Sequence, residues 1–396
     1  MILFSGRVKV SDLAQIKSTM PLRIDSVRTP DDISVDILSE ILNEEVIEYR
    51  ISPLGRGVLS NVQTLDVTLS TRTVHFIAKF RKDEIPLEDL FNVEGAFYHL
   101  VDELEDANAF PFRLPKALAT GTHWLLLEYI SENVTTLDVY QSCPMNQFDD
   151  LVHRLAKMHE YCWVDSSNST NMAEILNKYS AKLAPAPGAG HSLPSSTRQE
   201  QFAAAWPAVK KRLVPFFSSE SLQSLDDIAE WIAASERIKM IQNCVEEKRY
   251  TLVHGDFHMG NMLLPTEIEG DVDRRPWLVD WSFSGIGNPS VDLVFFMAMN
   301  DITAQDTERI LHMYYGVVKE RSQLSWNDFL TMFRQCLLNQ FIILVCYDSL
   351  CRTMANSSSD ERMVEVQHAH FDRVNTRCAQ MILLYNVNDG DILPIA

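Results

Sequence analysis

The chain has 396 residues, 46% hydrophobic and 22% charged, the balance of a globular protein and too long for one small core, so two lobes are expected. A formal net charge of −19 argues against a nucleic-acid partner, which needs a basic footprint; it permits a neutral or cationic small partner and tilts slightly toward a cationic one. Seven scattered cysteines without a CxxC spacing read as reduced thiols of a cytoplasmic protein, no signal peptide is evident, and the apolar run 341–346 is far short of the ~20 residues that cross a bilayer, so no membrane partner is expected.

Residues 1–25 carry no clear pattern. Thr29-Pro30-Asp31-Asp32 reads as a helix start, and Ile33, Ile37, Leu38, Ile41 and Leu42 mark one face of a helix ending near Asn43. A strand over 49–54 leads into Gly55-Arg56-Gly57-Val58-Leu59-Ser60-Asn61. Val62, Leu65, Val67 and Leu69 mark a second strand, and after a turn at 70–72 a third, over 74–80, carries Lys79. Glycines in such a turn let the backbone approach phosphates closely, although two neighbouring glycines by themselves more often mark an ordinary turn. Lys79, between Ala78 and Phe80, is either an edge-strand lysine with a buried stem or a cation for phosphates.

A helix is expected over 92–101, with Val93, Phe97, Leu100 and Val101 on its apolar face. Glu94, fifteen residues beyond Lys79, is then available as its ion-pair partner; a solvated helix residue is the plain alternative. The acidic cluster 102–106 reads as a solvated face. Two more strands are expected over 112–119 and 124–130. The second ends where backbone groups of Glu128 and Ile130 could bond a purine edge, and a plain buried strand would look the same.

Phe148, Leu151, Val152, Leu155, Ala156, Met158 and His159 share a face of a helix over 147–163, where His159 reads as a hydrogen-bonded core histidine. Residues 184–198, rich in proline, glycine and serine, read as a mobile loop, and helical stretches follow near 199–215 and 219–248. The densest stretch is Thr251-Leu252-Val253-His254-Gly255-Asp256-Phe257-His258-Met259-Gly260-Asn261-Met262-Leu263-Leu264, two short strands around a polar loop. Asp256 and Asn261, five apart, can point at one small volume. Asp280 closes the apolar Trp277-Leu278-Val279. Residues 285–289 break the chain. Asp292 then either caps the next helix or bonds the backbone of the polar loop. Helices over 301–319, 325–353 and 360–385 end the chain. His254, Asp256 and His258 alternate as three potential zinc ligands. Zinc needs three that converge, however, alternation turns intervening residues away, and Asn261 would go unexplained.

Lysine strand, glutamate helix, the 124–130 strand, HGDxxxxN and Val279-Asp280 fall in the order and spacing of kinases. The loop His254-Gly255-Asp256-Phe257-His258-Met259-Gly260-Asn261 resembles the HGDxHxxN loop of the aminoglycoside phosphotransferase and choline kinase superfamily. Val279-Asp280-Trp281, followed by Gly287 and Asp292-Leu293, resembles its I-D-W…G…D-L-A segment. Residues 54–62, 77–80 and 91–98 further resemble the CHK-kinase-like branch, which includes the ecdysteroid kinases. The likeness spans roughly residues 50–300.

The resemblance implies an α+β, bilobal protein-kinase-like fold. A small β-rich N-lobe over 1–130 would bind ATP, and a larger, mostly helical C-lobe over 131–396 would hold the catalytic loop and the acceptor. It implies ATP and Mg²⁺ as cofactors and a small-molecule hydroxyl as acceptor. Asp256 would be the catalytic base, and Asn261 and Asp280 the magnesium ligands. Lys79, paired with Glu94, would hold the phosphates, with Gly55, Gly57 and Ser60 covering them and Glu128 and Ile130 meeting the adenine. Asp280 is followed by Trp281-Ser282 instead of Phe-Gly, which speaks against a protein kinase and its activation switch. A catalytically silent nucleotide-binding protein on the same fold is the competing reading.

Overall fold

The computed structural model describes residues 20–56, 60–82, 90–104, 109–130, 134–164, 171–184, 195–234, 250–266, 273–356 and 360–387. Its elements in chain order are β1 (Leu22–Arg23), α1 (Val35–Leu42), β2 (Val46–Arg56), β3 (Ser60–Leu69), β4 (Thr73–Arg81), α2 (Leu90–Asp102), β5 (Ala117–Thr120), β6 (Trp124–Glu128) and β7 (Val134–Thr136). Then follow α3 (Met145–Tyr161), α4 (Asn171–Tyr179), α5 (Ser195–Leu213), α6 (Ser219–Ala234), β8 (Thr251–Val253), β9 (Met262–Pro265), β10 (Trp277–Leu278) and β11 (Gly285–Gly287). The chain closes with α7 (Ser290–Ala298), α8 (Ala304–Ser322), α9 (Trp326–Asn356) and α10 (Glu361–Leu384).

The described residues form two compact units that interleave along the chain. The first draws on Met1–Leu137, Glu174–Ala184 and Gly260–Ser284, the second on Asp138–Ala173, Pro185–Met259 and Gly285–Ala396. The first is β-rich and the second mostly helical, the make-up of a kinase-like α+β fold. The division is not a single cut after residue 130: β9 pairs with β7 and β10 pairs with β9, and this stretch belongs to the first unit.

In the first unit a six-stranded sheet runs in the order β1-β5-β6-β4-β3-β2. Alternate residues of the central strands, Leu65, Val67 and Leu69 with Val74, Phe76, Ala78 and Phe80, enter one buried core. Ile33, Leu38, Ile41 and Leu42 join the same cluster. The helix expected from Thr29 is split in two. A 3-10 turn, Pro30–Asp32, is closed by a Thr29–Asp32 capping box, the chain extends at Ile33, and Ser34 caps α1 afresh by accepting from the Ile37 N–H. Two competing caps within six residues make two short helices from one apolar stripe. The strand expected over 112–119 is confined to Ala117–Thr120. Arg113 instead bridges to Trp277 and lays its guanidinium 4.0 Å from the indole centroid.

In the second unit β8 and β11 pair antiparallel, Leu252 opposite Ile286. The helix expected over 199–215 runs Ser195–Leu213, so the loop read as 184–198 ends earlier; residues 185–194 lie outside the described residues. The expected 219–248 helix is described over Ser219–Ala234, and 235–249 lie outside the described residues. α4 was not anticipated. α9 is long and apolar enough to cross a membrane, yet 67% of its apolar window is buried inside the protein, where Phe329, Phe333, Leu337, Phe341 and Val345 make core. Buried Asp348 of α9 ties α5 and α10 to it: it accepts from Arg212, from Arg352 Nε at 3.1 Å and from Asn375 Nδ2 at 3.0 Å.

Candidate active site

Lys79 stands opposite Val62 of β3 and Leu125 of β6. Its strand is therefore interior to the sheet, and the edge-lysine reading is excluded. Its ammonium donates to Glu94 Oε2 at 2.7 Å and to Asp280 Oδ1 at 3.1 Å. Glu94, on α2, is 1% exposed and Lys79 is 7% exposed. Burial works against the lysine's charge, but Asp280 and Glu94 together outweigh it and hold its pKa above the ordinary value. Lys79 is thus a fixed cation with a carboxylate on either side.

Asp280 follows β10 with φ 64°, in the left-handed region that aspartate tolerates better than most residues. Its Oδ1 also accepts from the Ser282 hydroxyl at 2.8 Å. The next residue, Trp281, is wholly buried and stacks on Phe97 of α2 with centroids 3.7 Å apart and planes at 6°. Glu94 and Phe97 are one turn apart on α2, so one helical face receives both the lysine and the indole. The Val279 N–H donates to the Asn261 carbonyl at 3.0 Å, which sets the Asn261 backbone beside the residue before Asp280. Asn261 itself is buried. Trp281→Ala should therefore cost about 3–5 kcal/mol of stability, read from urea unfolding, because the stack leaves a large cavity beside Phe97. A loss below about 1 kcal/mol would show that the stack does not anchor this segment.

Gly55 pairs with Val62 just after a register shift at Pro53, and Ser60 opens β3 opposite Arg81, with its side chain buried. Gly57 lies outside the described residues. Glu128 ends β6. Its N–H donates to the Lys116 carbonyl at 2.8 Å and its Oε2 accepts from the Lys116 N–H at 3.1 Å, so that N–H is not available to a purine. Ile130 lies two residues beyond the strand.

In the second unit the loop after β8 carries Asp256. Gly255 takes φ 80°, a conformation that suits glycine. Asp292 of α7 does not cap its own helix. Its fully buried carboxylate accepts from the His254 N–H at 2.8 Å and the Gly255 N–H at 2.7 Å. The Asp256 N–H donates to His254 Nδ1 at 3.2 Å. Asp256 Oδ2 lies 3.4 Å from His258 Nε2.

His159 of α3 reaches Asp292 Oδ2 through Nε2 at 3.2 Å and the Tyr314 hydroxyl through Nδ1, and its carbonyl accepts from the Thr251 hydroxyl at 2.9 Å. The loop carrying Asp256 is thus braced by α7, α3 and α8. Burial raises the Tyr314 hydroxyl well above the ordinary value, so it stays protonated. No group of three metal-ligating side chains occurs among the described residues.

The structure thus brings Lys79, Glu94 and Asp280 into one cluster, with the Asn261 backbone bonded to Val279 beside it, and places Asp256 in the braced loop of the other unit. The sequence reading did not anticipate Tyr314, Ser282 or the Phe97–Trp281 stack. Phe97 carried a signal, since it follows Glu94 by three residues on a predicted helix.

Comparison with known proteins follows the same lines. The model of the phosphotransferase enzyme family matches residues 51–321, more than half of the chain. No curated protein matches by sequence. Among solved structures, a choline kinase from Cryptosporidium parvum Iowa II is similar at 11% identity and a TM-score of 0.45, over 91% of this chain and 98% of that one. A choline kinase from Streptococcus pneumoniae is similar at 13% identity and a TM-score of 0.42, over 86% and 98%. A spectinomycin phosphotransferase bound to ADP and spectinomycin is similar at 14% and 0.41, over 87% and 100%. At such scores these likenesses carry no weight for substrate or mechanism.

Proposed function

Because the chain belongs to the phosphotransferase enzyme family, and is an ATP-dependent enzyme acting on a hydroxyl, we propose that its acceptor is a small molecule and that Asp256 takes the proton of the attacking hydroxyl. The observation that carries this reading is the buried Lys79 ammonium held between Glu94 and Asp280, a cation prepared for phosphate oxygens. The attacking oxygen forms a bond to the γ-phosphorus while the bond to the β,γ-bridging oxygen breaks, and ADP leaves. Asp256 receives the hydroxyl proton, Lys79 neutralises phosphate charge, and Gly55, Gly57 and Ser60 lie over the phosphates. The Glu128 carbonyl and backbone groups at Ile130 meet the adenine. The chain works in the cytoplasm; the six free cysteines among the described residues support a reducing compartment.

Asn261 and Asp280 offer an amide oxygen and a carboxylate, the hard donors that suit Mg²⁺; Asn261 directly precedes β9, Asp280 follows β10, and the Val279–Asn261 backbone bond joins the two segments. When bound there, the ion would neutralise charge developing on the phosphate oxygens. Asp280→Ala is expected to weaken Mg²⁺-dependent ATP binding by at least about tenfold in calorimetry with and without Mg²⁺. Undiminished binding would remove the metal role. A silent nucleotide-binding protein would bind Mg²⁺ and ATP yet transfer phosphate to no acceptor; the joint presence of Lys79, Asp256, Asn261 and Asp280 favours turnover.

A further inference from the structure

Asp280 stands in a sharp turn after β10. Its φ of 64° bends the chain, the Trp281 indole donates to the Leu278 carbonyl at 3.2 Å, and the Ser284 N–H donates to the Trp281 carbonyl at 3.0 Å. Together with the Phe97 stack, these contacts hold the turn without help from the side chain of residue 282. Ser282 is nonetheless buried, and its hydroxyl reaches back two residues to Asp280 Oδ1 at 2.8 Å. A buried hydroxyl costs free energy unless it is bonded, and here the bond is to the carboxylate.

A carboxylate oxygen has two lone-pair sites, and both of those on Oδ1 are taken. The Lys79 ammonium takes one at 3.1 Å and the Ser282 hydroxyl the other at 2.8 Å. All three residues belong to the β-rich unit. The Asp280 side chain is 42% exposed, so an ion from solvent can reach it, whereas Lys79 is buried against Glu94. The number of carboxylate oxygens on offer separates divalent ions. Ca²⁺ gathers about six to eight oxygens and readily takes both from one carboxylate, whereas Mg²⁺ holds a tight octahedron, keeps several waters and takes one. A carboxylate with one oxygen already engaged therefore suits Mg²⁺ and denies Ca²⁺ a ligand.

We infer that Ser282 is a positioning residue that sets the metal preference of the nucleotide site: by engaging Asp280 Oδ1 it limits Asp280 to one oxygen for the ion, which favours Mg²⁺ over Ca²⁺. The inference rests on the reading of Asp280 as a magnesium ligand. Under that reading Lys79 turns its charge to the phosphate oxygens once ATP is bound, and Ser282 remains as the donor on Oδ1. Ser282 acts through Asp280 and touches neither ATP nor the acceptor in this role.

The test uses the full chain and calorimetry with β,γ-imido-ATP, which is not turned over, in Mg²⁺, in Ca²⁺ and without a divalent ion. Wild type should bind the analogue more tightly with Mg²⁺ than with Ca²⁺. Ser282→Ala should cut that preference at least about fivefold, through tighter binding with Ca²⁺, weaker binding with Mg²⁺ or both, while ion-free binding stays within about twofold. Ser282→Thr, which keeps the hydroxyl, should hold the preference to within about twofold of wild type. A damaged turn would weaken binding under all three conditions, so the ratio between the two ions reports on the carboxylate. An unchanged ratio in Ser282→Ala overturns the proposal, as does a ratio that falls as far in Ser282→Thr, or a wild type that does not prefer Mg²⁺. Asp280→Ala, measured alongside, keeps the two readings apart. If it binds the analogue with Mg²⁺ as tightly as wild type, the metal reading fails and the role of Ser282 goes with it. If it loses metal-dependent binding while Ser282→Ala keeps the wild-type ratio, only the role of Ser282 fails.

Discussion

Asp256→Asn is expected to lower kcat about a thousandfold while ATP affinity changes less than about twofold. The asparagine has the same shape but a far weaker proton acceptor. The backbone bond from residue 256 to His254 Nδ1 and the Asp292 bonds to the His254 and Gly255 N–H groups do not depend on the side chain that is changed. The loop should therefore keep its course, and the loss should isolate proton acceptance and hydroxyl orientation. An ADP-release assay with an identified acceptor, paired with ATP calorimetry on the same preparation, separates the two quantities. Wild-type turnover in the variant would take Asp256 out of the reaction.

Asp292→Ala is expected to lower unfolding free energy by roughly 2–6 kcal/mol, because two buried N–H groups lose their acceptor at about 1–3 kcal/mol each. His159 Nε2 loses its partner in the same step. Urea unfolding gives the total, and hydrogen exchange at the His254 and Gly255 amides tests the cause, since both should lose protection. Asp292→Asn retains one accepting oxygen and should fall between. Protected amides in the alanine variant would mean that something other than α7 holds the loop. Turnover should fall along with protection, since a catalytic group on an unlocked loop spends less time in a productive geometry.

Much of the candidate site was legible because its signals are local. The alternation of β3 and β4, the apolar stripe of α2 and the polar loop between β8 and β9 are each set by near neighbours in the chain. Where two local signals competed, pattern reading failed: Thr29 and Ser34 both cap, and one expected helix became two short ones. The 112–119 strand failed for a tertiary reason, since Arg113 is taken up by Trp277, far along the chain.

By itself the amino-acid order established which side chains could do kinase chemistry, their strand or helix, and the family resemblance. Only the folded chain decided which of those side chains meet. Lys79 and Asp280 are 201 positions apart, His159 and Tyr314 are 155 apart, and Arg212 and Asp348 are 136 apart. Local periodicity arises from backbone geometry that every residue shares, whereas pairing over such separations is selected by burial: a charge or donor removed from water must find its complement, and packing determines which one is within reach.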